Sequence, residues 1–248
     1  MPAAGGDPRE PPMPPSLPRR VAFGTFPGMA ERALTDVPID LDPLLGEVVR
    51  LRALREEDLP ALCEWWQDQR VAVFQSTGPT RPRPAEGIAE MLRSWSRNDG
   101  ADTGLSVTTA VSGELVGHAA LYGVSVKDRC ATLAVIIGPK HHDRGYGTDA
   151  VRVLLRYGFA ELGLHRIELS VIGYNLRAIA VYRKAGFVEE GRRRSSIFRS
   201  GAWHDEVRMA VLDSEWQSSQ PVGGPGPRGA GQPESILPAE PSAEPPHR

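Results

Sequence analysis

Cysteine is scarce in this chain: Cys63 and Cys130 are the only two among 248 residues. That excludes a disulfide framework. With no CxxC pair and no His-x3-His spacing, the common structural zinc sites are excluded too. No apolar run reaches the roughly 18 residues that a membrane-spanning helix needs. The opening MPAAGGDPREPPMPPSLPRR lacks the apolar centre of a secretory signal, so the expected location is the cytoplasm. A dominant charge sign is also missing, since 29 Lys and Arg against 31 Asp and Glu leave −2. The basic excess of a nucleic-acid binder is therefore absent, and nothing favours an anionic membrane.

Proline is plentiful but uneven. Of 23 prolines, ten fall in residues 1–46 and eight in 217–248, and only Pro60, Pro79, Pro82, Pro84 and Pro139 lie between. This composition predicts a Pro-rich flexible segment over 1–46, one folded domain over 47–216 and a disordered Pro/Gly-rich tail over 217–248. A domain of that size buries a substantial core without staples.

Within the domain, periodicity predicts a strand over Glu47–Leu54 and a helix in EEDLPALCEWWQDQ, whose acidic first turn suits the helix dipole. A second helix is predicted over Ala85–Trp95. Strands follow at Leu105–Val111, Leu115–Tyr122 and Ala131–Ile137, the last apolar enough to be central. A helix is expected at Thr148–Leu162, with Gly163 as its stop. Then come a strand at His165–Val171, a helix at Asn175–Ala185 and two strands, at Phe187–Glu190 with its continuation and at Glu206–Val211. Trp216 onward needs no fold. A meander combined with crossovers implies a mixed sheet with helices on both faces.

The chemistry concentrates in Ala131–Gly147, where a buried strand meets a Gly-Pro stop, a glycine loop and a helix. Unpaired N–H groups at a helix start favour an anion, and Gly145 and Gly147 allow close backbone approach. Lys140, His142 and Arg144 add positive character. Taken alone, the loop also reads as an ordinary strand-to-helix turn. GxxxxGK[ST] is absent, and GYGTDA at 145–150 is not GxGxxG, which excludes a P-loop and disfavours a dinucleotide fold.

The run HDRGYGTDA, then RIELSV, then Asn175, Ala178, Tyr182, Gly186 and Phe187 in the pattern N-x-x-A-x-x-x-Y-x-x-x-GF resembles the GNAT family of N-acetyltransferases. VVRLRALREEDLPAL, EEGRRR and SGAWHDEVRMAVL resemble its RimJ/RimL-like branch, which acetylates ribosomal-protein N-termini and related amines. The resemblance spans about 47–216. It implies the GNAT acyl-CoA N-acyltransferase fold: an α/β domain with a mixed, mostly antiparallel sheet. It also implies transfer of an acetyl group from acetyl-CoA, without a metal, to a primary amine on a protein N-terminus or small molecule. Transfer would be direct, within a ternary complex, by a monomer or homodimer. A longer acyl-CoA, or a non-catalytic acyl-CoA-binding module, is the alternative.

The resemblance also implies roles for individual residues. The cofactor loop takes the register His142-Asp143-Arg144-Gly145-Tyr146-Gly147, continuing to Thr148, with His142 where the family has Gln or Arg. Val135, Ile136 and Ile137 would pair with the pantetheine arm, at a splayed strand that leaves a slot for the thioester. Tyr182 matches the tyrosine that protonates the departing thiolate; by pattern alone it reads as a core residue on an apolar helix face. Asn175 is a good N-cap, and the family adds a bond to pantetheine or water. The acidic residue that the family often has entering the strand is replaced near Thr132. Glu168 and Asp205 are the remaining candidates for a base, each also readable as a solvated or structural charge. Trp65, Trp66 and Trp95 fall on helices that border the family's acceptor site.

Overall fold

The computed structural model describes residues 42–75 and 77–219. The Pro-rich lead through residue 41 and the tail from residue 220, both expected to lack a fold, lie outside the described residues. Residues 42–46, ahead of the expected boundary at 47, already pack on the domain, with a Leu51 N–H bond to the Leu44 carbonyl and an isolated bridge from Leu45 to Arg50.

Seven strands form one sheet: β1 Val49–Arg52, β2 Thr103–Thr109, β3 Leu115–Ser125, β4 Cys130–Ile137, β5 Arg166–Ile172, β6 Val188–Arg199 and β7 Ala202–Leu212. Their spatial order is β1-β2-β3-β4-β5-β7-β6. All neighbours are antiparallel except β4 and β5. The parallel pair follows from connectivity: a helical crossover joins β4 to β5, whereas short links give antiparallel hairpins.

The helices are α1 Leu59–Gln67, α2 Gln69–Gln75, α3 Ala85–Trp95, α4 Tyr146–Arg156, α5 Leu176–Lys184 and α6 Asp213–Ser219. They cover both sheet faces. On one face, α4 and α5 bury Val151, Leu154, Leu155 and Ile179 against Leu121, Leu133, Ile167, Leu169 and Met209. On the other, α1 and α3 build a smaller core from Leu59, Leu62, Cys63, Ile88, Ala89 and Leu92. Each fully buried Leu or Ile contributes about 1.5–3 kcal/mol. Every residue of β2 is buried, as a strand covered on both faces should be.

Two buried carboxylates brace this frame. Asp58 receives both guanidinium arms of Arg52 at 2.7 and 2.8 Å, the Arg55 N–H at 2.9 Å and the Ser106 hydroxyl at 2.7 Å. Burial alone would push its pKa up, but these four donors outweigh it and hold Asp58 below the usual carboxylate range. Asp149, in the first turn of α4, accepts the backbone N–H groups of Glu47, Val48 and Val49 at 3.2, 2.8 and 2.9 Å. It pins the start of β1 to the start of the helix that follows the glycine loop.

Several elements differ from expectation. The first helix breaks at Asp68, whose ψ of 105° is extended, and a separate helix, α2, follows. The helix after the loop starts at Tyr146 and ends in a π turn over Tyr157–Glu161, with Gly163 at φ +62° stopping it. The last hairpin is much longer than the predicted strands and carries register shifts at Glu189/Gly191 and Arg193/Ile197. Trp216 belongs to α6 and packs on Phe159, ring centroids 6.2 Å apart.

Candidate active site

The sheet opens in its middle. β4 and β5 pair only at Cys130–Arg166, Ala131–Ile167 and Thr132–Glu168. Beyond that last rung the strands part, although β4 stays paired to β3 and β5 to β7 through Ile137 and Ile172. From Leu133 to Ile137, the backbone groups of β4 directed away from β3 therefore have no strand to bond among the described residues. This is the splay that sequence reading does not reveal. A cleft of about 1950 Å³ runs through it, lined by both strand edges, the glycine loop, α5 and the α1–α3 layer.

The glycine loop closes one side. A short 3-10 turn, Pro139–His141, leads from β4 into it. Asp143 at φ +61° and Gly145 at φ +83° are both left-handed, so the backbone turns tightly into α4. The first intrahelical bond runs from Asp149 N–H to the Gly145 carbonyl at 3.0 Å. The N–H groups of Tyr146, Gly147 and Thr148 thus stand at the helix start without intrahelical acceptors, the arrangement that suits a phosphate.

His142 turns inward. Its Nε2 donates to the Ile137 carbonyl at 2.8 Å, fastening the loop to the end of β4. Burial lowers its pKa, against the opposing pull of that carbonyl. Lys140 and Arg144 are exposed and do not line the cleft, whereas Val135, Ile136, Ile137, His142, Asp143, Gly145, Tyr146, Gly147, Thr148, Asn175 and Tyr182 do. Asn175 caps α5, its Oδ1 accepting the Ala178 N–H at 3.2 Å. Its Nδ2 donates to the Phe74 carbonyl at 3.5 Å, which ties α2 to the site.

Tyr182 is part of the α5-side core and also lines the cleft. Burial, and secondarily the Tyr122 phenol, push its pKa up to about 12. The group therefore stays protonated at every physiological pH. Tyr122, whose pKa burial also raises, is exposed on β3 opposite Thr132, at the foot of the slot.

The opposite face of the slot carries paired charge. Glu168 accepts Arg166 Nε at 3.1 Å, and Arg166 in turn grips Glu190 with both guanidinium arms. Glu206 is buried and paired with Arg193 at 2.7 Å. At the rim, Asp68 pairs with Arg70 at 2.8 Å and Asp143 with Arg177 at 3.7 Å. Asp205, on β7, accepts the Ser195 N–H across the hairpin at 3.0 Å and does not line the cleft. Trp66 and Trp95 meet edge to face, planes 64° apart and centroids 5.6 Å apart, and both line the cleft. Trp65 instead packs against His141.

Sequence reading missed His118. It is buried on β3 with Nε2 2.8 Å from Ser96 Oγ, and burial drives its pKa down to about 4. Its neutral ring anchors the end of α3 to the sheet beside the cleft.

A parting parallel pair, a nest of N–H groups and a buried phenol define an acyl-transfer site. Residues 49–188 match the acetyltransferase (GNAT) domain model, and the chain belongs to that family. It is an acetyl-CoA-dependent N-acetyltransferase that acetylates an amine. It is 27% identical over 179 residues to the putative ribosomal N-acetyltransferase YdaF of Bacillus subtilis, covering 71% of this chain and 97% of that one. It is 31% identical over 135 residues to the spermidine N(1)-acetyltransferase of Vibrio cholerae, 54% and 78% of the two chains. The crystal structure of spermidine N-acetyltransferase from Vibrio cholerae in complex with CoA and spermine superposes with a TM-score of 0.62 at 27% identity, covering 68% of this chain and 98% of that one.

Proposed function

We propose that the acceptor is the N-terminal amine of a protein or peptide, acetylated directly within a ternary complex in the cytoplasm. The observation that carries this is the pairing of most of the cleft's carboxylates with arginines. A polyamine needs free carboxylates to replace its water, whereas Glu168, Glu206, Asp68 and Asp143 already hold guanidinium groups. A cleft of about 1950 Å³ open to solvent also suits a chain end. The free thiols of Cys63 and Cys130 suit a reducing compartment.

The N–H groups of Tyr146, Gly147 and Thr148 hold the pyrophosphate, and the free edge of Val135–Ile137 bonds the pantetheine amides. A β4 N–H in the slot polarises the thioester carbonyl, the preorganised donor that acyl transfer requires. The amine attacks as a free base. An α-amine has a pKa of about 7.7–8.0, so ordinary water relieves it of its proton near neutrality, and no strong base is needed. Tyr182 gives its phenolic proton to the departing thiolate.

A second reading, a polyamine acceptor, is favoured by the likeness to the spermidine enzymes and by Asp102. That cleft carboxylate bonds a backbone N–H, from Val124 at 3.0 Å, rather than an arginine. Thiol release from acetyl-CoA decides between them. N-terminal peptides turning over with higher kcat/KM than spermidine supports the first reading, and the reverse order supports the second.

A further inference from the structure

Arg208 stands one strand away from the slot. Its partner across β5 and β7 is Ser170, an exposed residue on the strand edge that faces the gap. The Arg208 side chain is itself exposed and lines the cleft. Its carboxylate hydrogen bond is to Glu168 at 3.5 Å, the outer limit of such a bond, and it acts on Glu190 only through space. Glu168 is already engaged by Arg166 at 3.1 Å. Arg193, on the neighbouring strand, is by contrast held at 2.7 Å.

A second donor is short of a partner in the same cleft: the indole N–H of Trp66 is buried without a hydrogen bond among the described residues. This side of the cleft thus offers one weakly held guanidinium and, among the described residues, one unpartnered indole N–H. A guanidinium fork finds its best complement in a carboxylate, which it binds through two parallel N–H bonds. Adjacent strands lie about 4.8 Å apart, so a group held by Arg208 sits within one residue of an amine placed over the slot.

We propose that Arg208 reads a carboxylate next to the reacting amine, so that the preferred acceptor is an N-terminus whose second residue is Asp or Glu. This rests on the reading of the acceptor as an N-terminal amine. The bond is charge-assisted, and its loss on one partner is worth about tenfold in kcat/KM.

The test compares three peptides that differ only in Glu, Gln or Lys at the second position, with spermidine alongside. Wild type, Arg208→Gln and Arg208→Lys are assayed by thiol release. The wild-type Glu-to-Gln ratio of kcat/KM is expected to be about ten. It collapses to about one in Arg208→Gln and recovers in part in Arg208→Lys, which keeps the charge without the fork. Equal wild-type rates for Glu and Gln overturn the proposal, as does a Glu preference that survives Arg208→Gln. Turnover of spermidine with no peptide turned over instead overturns the acceptor reading beneath it.

Discussion

Ala134 and Ser170 would be partners two rungs beyond Thr132–Glu168, yet no pairing joins their strands there and both are exposed. Exposure on two central strands of a seven-stranded sheet is the mark of the slot. The glycine loop, Tyr182 and the charged residues of β5 and β7 line the same cleft.

The two loop glycines have different reasons to be there. Gly145 sits at φ +83°, where any side chain is strained. Gly147 has no such constraint, and a methyl group there would meet Ile137 Cγ1 at an ordinary 3.5 Å. Gly145→Ala is expected to lower stability by about 1–2 kcal/mol. Gly147→Ala is expected to leave stability equal or higher, since Ala favours a helix by about 1 kcal/mol, while weakening acetyl-CoA binding at least severalfold. Urea unfolding and calorimetry on both variants separate the two effects.

Asp149 joins two segments a hundred residues apart. Removing its carboxylate strands three backbone donors, so Asp149→Ala should cost about 2–4 kcal/mol. Asp149→Asn, which keeps one oxygen acceptor, should cost less. The midpoint of urea unfolding reads both.

His118 makes stability pH-dependent. Its pKa falls from 6.5 unfolded to about 4 folded, so the unfolded chain binds the proton first. Its contribution is present above pH 6.5 and is lost as pH falls through 4. The full shift corresponds to about 3 kcal/mol. Unfolding free energies at pH 7 and pH 4.5 should differ in wild type, and His118→Gln should flatten that difference; an unchanged slope would show that other groups set it.

Much of this was legible in the sequence because it is local. The glycine loop, the cap at Asn175 and the apolar faces of α4 and α5 follow from spacing and residue type. The family pattern brought Tyr182 forward, although on its helix it looks like any core residue. The missed features are long-range. Asp149 gives no sign in sequence that it will meet Glu47–Val49. The parting of β4 from β5 was implied by the family resemblance alone: it depends on which backbone groups go unpaired, not on side-chain pattern, and by its residues Val135–Ile137 reads as an ordinary buried strand. Helix α2 was hidden because its cap, Asp68, whose Oδ1 accepts the Arg70 N–H at 2.9 Å, reads in the sequence as part of the preceding helix, and the bend there is a backbone event. His142, chosen for its positive character, proved to be a neutral fastener of its own loop.

The most direct test of the account is thiol release from acetyl-CoA by Tyr182→Phe with a saturating N-terminal peptide, beside acetyl-CoA affinity by calorimetry. The ring is kept, so packing against Phe187 at 5.6 Å survives. Loss of the acid alone should lower kcat on the order of 100-fold while acetyl-CoA binds about as tightly as to wild type. An unchanged kcat would contradict the assignment of Tyr182 as the group that protonates the leaving thiolate.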